Sequence, residues 1–197
     1  MKLLAALLAT ALTALVLIAA GCGGSGGEEG EEAAADPNAP EVNEAGDIPD
    51  DQVFVEYEPA SGNYVVKVPE GWGQTKDGDA VTFTDKLNSI RMESVGASTA
   101  PTVESAKSKE VPQLESSVDG FELDDVTTVD RSAGRAVVIK YFAKGEPDAV
   151  TGKSVTNAVE RYEFFQDGRE VILTLSGPKG ADNVDPWMIV SDSLRWK

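Results

Sequence analysis

The residues able to do chemistry are few. The chain has one thiol, Cys22, and no histidine, so it lacks the commonest general base and the commonest zinc ligand. Carboxylates are plentiful. Two pairs, Glu160 with Glu163 and Asp124 with Asp125, offer the residue types of acid/base hydrolysis, in which one carboxyl gives a proton while the other acts as base. Asp77-Gly78-Asp79 and Asp182-Asn183-Val184-Asp185 offer oxygen ligands of the kind a hard cation accepts. Neither has the full spacing of a calcium loop, so turn and helix-cap roles are expected of both. Val150-Thr151-Gly152-Lys153-Ser154 looks like the end of a phosphate-binding loop, but that pattern needs glycine at position 147, where Pro147 stands. Ser176-Gly177-Pro178-Lys179 has a Ser-x-x-Lys spacing that works only on a helical turn, which Gly-Pro prevents. No catalytic, metal or cofactor residue is assigned on these grounds, and a non-enzyme is expected.

The remaining chemistry is at Cys22. Met1-Lys2 precedes an uncharged run from Leu3 to Ala20, which ends in Ala19-Ala20-Gly21-Cys22. A charged start, an apolar stretch and small residues before a cut are the layout of a secretory signal. The tetrapeptide resembles the lipobox of bacterial lipoproteins, which implies cleavage between Gly21 and Cys22 and a diacylglyceryl group on the cysteine sulfur. The competing reading is an uncleaved transmembrane anchor, since about 20 apolar residues span a bilayer. The alanine content of the run argues against it, because alanine contributes little transfer free energy.

Three segments follow from composition: a signal peptide over 1–21, a lipidated cysteine with its tether over 22–50, and a globular domain over 51–197. The tether is Gly-, Glu- and Pro-rich with almost nothing to bury, which predicts disorder. As a flexible coil it would reach roughly 30 Å. Its Glu28–Glu32 acidic run is expected to be solvated and is given no ligand role. The chain carries 34 acidic and 17 basic side chains, a net charge of -17, and loss of Lys2 with the signal makes it -18. With no basic tract, nucleic acid and anionic lipid surfaces are disfavoured as partners.

The elements that must position any site begin with alternation. Val53–Tyr57, Tyr64–Val68, Val81–Thr84 and Ile90–Glu93 read as half-buried strands. Ala60-Ser61-Gly62-Asn63 and Lys76-Asp77-Gly78-Asp79 are turn-forming, so the neighbouring runs are expected to pair as hairpins in one meander. Between Thr102 and Val118 the period becomes helical, with Thr102 as N-cap and a kink or break at Pro112. Four more strands are predicted at 121–129, 134–144, 157–166 and 169–175. A closing helix is predicted from Asp185 as N-cap and Pro186 at the first helical position, burying Trp187, Val190 and Leu194. Trp72, Trp187 and Trp196 could line a ligand groove, but core packing is the expected role of all three.

Strands, helix, strands and helix make an α+β domain with a largely antiparallel sheet. The order of Tyr64-Val65-Val66-Lys67-Val68-Pro69-Glu70-Gly71-Trp72, the Pro-containing helix, Arg161-Tyr162-Glu163-Phe164-Phe165 and the Asp192-Ser193-Leu194-Arg195 ending resembles the PsbP/Mog1-like domain. It resembles most the actinobacterial lipoproteins of the LpqN kind. The resemblance implies an α/β/α sandwich that acts as a non-catalytic binding or assembly module at the cell envelope, on the extracytoplasmic face of the bacterial membrane. It implies partners of three kinds: the membrane through the lipid on Cys22, an envelope protein, or a lipid ligand. A monomer without nucleic acid, cofactor or metal is expected, and ligand-binding residues are not assigned. The alternative is an envelope-acting hydrolase using one of the carboxylate pairs above.

Overall fold

The computed structural model describes residues 45–147 and 152–197. The signal segment 1–21, the Gly21–Cys22 junction, Cys22 itself and the tether as far as residue 44 lie outside the described residues. The larger sheet has seven strands, all antiparallel, in the order β3-β4-β5-β9-β8-β7-β6. The strands are β3 (Gly73–Asp77), β4 (Ala80–Asp85), β5 (Asn88–Gly96), β6 (Glu122–Arg131), β7 (Gly134–Lys144), β8 (Thr156–Gln166) and β9 (Arg169–Pro178). Two meanders, β3-β4-β5 and β6 to β9, are joined by β5 against β9. A smaller antiparallel sheet, β1-β2-β10, comprises β1 (Phe54–Tyr57), β2 (Tyr64–Pro69) and β10 (Arg195–Trp196).

Period-two alternation along the strands gives the large sheet two different faces. On one, Val138, Tyr162, Leu173, Met92 and Val81 lie in register across five strands. This face is covered by Tyr64, Val66 and Val68 of β2, by Trp187 and Val190 of helix α3 (Val184–Asp192), and by Leu194 just beyond it. On the other face, Val137, Ile139 and Tyr141 of β7 with Val126 and Val159 form a second core under a helical cap. The domain is therefore an α/β/α sandwich, as the resemblance implies.

The cap consists of α1 (Val103–Ser105), a π-helical segment (Ala106–Glu110) and α2 (Val111–Ser117). Thr102 caps it, its hydroxyl accepting from the Ser105 N–H at 3.0 Å while Ser105 Oγ accepts from the Thr102 N–H at 2.9 Å. The helix neither breaks nor splits at Pro112. Proline has no amide to donate and its ring crowds the carbonyl four residues back. The wider turn immediately before it, with Val111 N–H bonded to Ala106 O, carries the helix past that position.

Four other expectations change. The second hairpin pairs β4 with β3, a fully exposed strand without alternation, instead of with β2. β2 leaves the main sheet because five of its six residues are buried, so it cannot be a one-sided meander strand. The closing helix starts at Val184 with Asn183, not Asp185, at the N-cap position. Asn183 makes no side-chain cap bond there because its amide is used elsewhere. Finally, residues 45–50, placed in the tether by composition, pack on the domain. Ile48 is buried, its N–H donates to Asn183 Oδ1 at 2.8 Å, and Gly46 O accepts from Asn88 Nδ2 at 2.8 Å.

Candidate functional site

Helix α3 faces two ways. Pro186, Trp187, Val190 and Ser191 are buried against the sheet. Val184, Met188 and Ile189, at spacings of four and five, stand 67%, 49% and 43% exposed. An apolar outer stripe on a helix that already has a buried face is a candidate contact surface.

A groove runs along each flank of that stripe, and Met188 walls both. The first, of about 640 Å³, is bounded by Lys67, Ser132, Ile189, Asp192 and Arg195. The chain end is bound to β2 there, since Lys67 N–H donates to Ser193 Oγ at 2.7 Å. Asp192 accepts from Ser132 N–H at 2.9 Å and from its hydroxyl at 3.1 Å, fixing the β6–β7 turn to the end of α3. Arg195 pairs with Glu56 at 2.7 Å. That guanidinium holds the exposed Glu56 carboxyl below the usual carboxylate range.

The second groove, of about 380 Å³, has Val184, Trp187 and Met188 as its apolar wall. Its floor is a polar chain on β6, β7 and β8. Lys140 Nζ lies 2.6 Å from Glu160, the Tyr162 hydroxyl donates to Glu160, and Arg131 sits 5.6 Å over the Tyr162 ring while its Nε donates to Ser191 Oγ at 3.1 Å. Burial, and then the Glu160 carboxylate, push the Tyr162 phenol up to about 12. It is therefore a fixed proton donor at neutral pH and not a base. These groups are engaged with one another, an arrangement that shapes a surface rather than activating a nucleophile.

The structure separates Glu160 from Glu163 and leaves Asp124 and Asp125 exposed. Glu160 and Glu163 are three residues apart on one strand, which puts them on opposite faces. Glu160 lies in the groove beside α3, whereas Glu163 is fully buried on the other face with Arg161 Nε at 3.0 Å. Asp124 sits in the register shift between Leu123 and Asp125 on the edge strand β6. Both aspartates are exposed, and Asp125 accepts from its neighbour's Val126 N–H at 2.8 Å.

The remaining motifs take structural roles. Asp77-Gly78-Asp79 forms the β3–β4 turn, with Gly78 at φ 59°. Asp182 N–H donates to Asp47 Oδ1 at 2.9 Å, and the Asn183 amide joins the buried network around Gly46. Ser176 lies in a strand, not a helix, and Lys179 instead sits 3.7 Å over the Phe142 ring. Gly152, Lys153 and Ser154 lie outside helix and strand, and Val150 and Thr151 are outside the described residues. Trp187 is buried, and Trp72 and Trp196 pack partly buried on the same core, Trp196 donating to Ala133 O at 3.1 Å. Among the described residues, no group of three His, Cys, Asp or Glu side chains could hold a metal ion, and no helix is long and apolar enough to cross a membrane.

Sequence reasoning did not single out Lys67, Arg195 or the Val184–Met188–Ile189 stripe. The stripe had a signal, the apolar positions left over opposite Trp187, Val190 and Leu194. Lys67 and Arg195 stood in the motifs that carry the resemblance, but nothing local marked them as groove residues, because it is the pairing of β10 with β2, Arg195 opposite Val65, that brings their strands side by side.

This arrangement of a seven-stranded antiparallel sheet with helices on both faces is a PsbP-like fold. The solution structure of cyanobacterial PsbP (CyanoP) from Synechocystis sp. PCC 6803 matches with a TM-score of 0.54 at 14% identity, over 73% of this chain and 92% of that one. The Saccharomyces cerevisiae Ran-binding protein Mog1p matches with a TM-score of 0.47 at 11% identity, over 73% of this chain and 95% of that one. The chain matches no protein-family model and no curated protein.

Proposed function

We propose that this chain is a bacterial lipoprotein of the LpqN kind, a non-catalytic binding or assembly module held at the extracytoplasmic face of the membrane by a diacylglyceryl group on Cys22. One observation carries the binding role. The exposed Val184, Met188 and Ile189 stripe of α3 stands between two grooves whose Arg131, Lys140, Glu160, Asp192 and Arg195 are tied to neighbouring groups. Such a surface offers apolar area with a polar rim, the make-up of a recognition patch. The PsbP-like fold of the Synechocystis protein agrees with a module of this kind. The anchor rests on the Ala19-Ala20-Gly21-Cys22 lipobox.

The test compares membrane-extracted protein with a Cys22→Ala variant by intact mass. The wild type is expected to begin at Cys22, carry the added diacylglyceryl mass and partition with the membrane, and the variant to lose all three. An unmodified Cys22 with residues 1–21 retained overturns the anchor. A turnover activity of the purified domain that one point substitution abolishes overturns the non-catalytic reading.

A further inference from the structure

The sheet face under the helical cap holds an unusual concentration of acid. Glu163 of β8 is 0% exposed. Its Oε1 accepts from Arg161 Nε at 3.0 Å, but its Oε2 is buried with no hydrogen-bond partner. Glu110, the last residue of the π-helical segment, also has a buried, unpartnered Oε2, and its charge is felt as repulsion at Glu163. Glu93 of β5 and Glu170 of β9 complete a four-carboxylate group. Its cations are Arg161, 3.0 Å from Glu163 and 4.0 Å from Glu93, and Arg91, 3.3 Å from Glu93. From β7 the neighbours are apolar apart from Tyr141, whose phenol burial pushes up. The cap's Lys107 and Lys109 are exposed and supply nothing inward.

A buried acceptor without a donor costs about 1–3 kcal/mol, and more if charged. Two such oxygens belong to acids that repel one another. A proton on Glu163 Oε2 removes one buried charge and, with it, that repulsion. We infer that Glu163 is a proton latch: it stays protonated beneath the helical cap, and losing that proton to solvent releases residues 103–117 from the sheet. Burial pushes the Glu163 carboxyl up, against the pull of Arg161, in keeping with this. With the cap open, Glu163 meets water and returns to ordinary acidity. The closed state thus binds one more proton than the open one and weakens as pH rises. Opening would bare Val126, Val137, Ile139, Tyr141 and Val159, an apolar surface distinct from the α3 stripe and independent of the function proposed above.

The test is amide hydrogen exchange on residues 103–117 of the full domain between pH 5 and 9, corrected for intrinsic base catalysis. Between the ordinary glutamate value of 4.5 and its raised value in the closed state, Glu163 is expected to lower cap protection in the wild type by up to about tenfold per pH unit, beyond the fall that Glu170 contributes, and Glu163→Gln is expected to lose that share. A level wild-type profile, or the same fall in the variant, overturns the latch. If the variant does not fold, the carboxyl carbon shift of Glu163 in the wild type decides. A midpoint clearly above the ordinary glutamate value of 4.5, lowered in Glu110→Gln, supports it, and a midpoint at or below 4.5 overturns it.

Discussion

Replacing Asn183 by alanine should unseat the strap that carries the chain into the domain. The Asn183 side chain is 3% exposed and makes three hydrogen bonds: from Ile48 N–H to its Oδ1 at 2.8 Å, and from its Nδ2 to Gly46 O at 3.0 Å and to Asn88 Oδ1 at 3.1 Å. In the variant, Gly46 O keeps Asn88 Nδ2 at 2.8 Å. Ile48 N–H and Asn88 Oδ1 lose the partners they have here. Two buried orphans at about 1–3 kcal/mol each give a loss of roughly 2–6 kcal/mol. Because Asn183 makes no side-chain cap bond to α3, the loss reports the strap and not a helix cap. Urea unfolding should show a lower midpoint at unchanged slope, with faster amide exchange at Ile48. Asn88→Ala should be non-additive with it by about 1 kcal/mol, because the two share a bond. A loss below about 1 kcal/mol, or strict additivity, would refute the idea that this amide network holds the strap.

Two further outcomes are expected. Leu194→Ala, at a position 0% exposed in the core between α3 and the sheet, should cost about 2–5 kcal/mol by thermal or urea unfolding, and a loss under about 1 kcal/mol would show that site to be loosely packed. Burial above all pushes the Glu170 carboxyl up to about 7. Its folded state therefore holds a proton that the unfolded chain has released, and stability should fall as pH rises from 4.5 through 7. Glu170→Gln should shrink that fall, which urea midpoints at several pH values would measure, and an unchanged profile would remove Glu170 as its source.

Much of the fold is legible in single residues. Tyr64–Val68, Val81–Thr84, Ile90–Glu93 and the 134–144 and 169–175 runs lie in strands, as their apolar content and flanking turns predict, although Tyr64–Val68 and the 134–144 run are buried on both faces. The 102–118 helix and its Thr102 cap are legible from the change of period, and Trp187, Val190 and Leu194 form one buried face as their spacing requires. β3 was not legible, since all five of its residues are exposed and only pairing with β4 makes it a strand. The strap at 45–50 was hidden by a composition that matches a tether, and its burial depends on amides 42 and 135 positions away. That Glu160 and Glu163 cannot act together was legible from strand parity alone.

The sequence by itself determined the alternating strands, the helix bearing Pro112, the acidic balance that disfavours nucleic acid, and the order of motifs that resembles the PsbP/Mog1-like domain. These are local or compositional properties, set by neighbours within a few residues. Only the tertiary structure decided that β2 crosses to a second layer, that the outer stripe of α3 lies between two grooves, and that four glutamates and Arg161 converge under the helical cap. Each of those depends on which strands pair and which face meets the core. Pairing is a long-range choice made by burial and register together, and no window of sequence contains both partners.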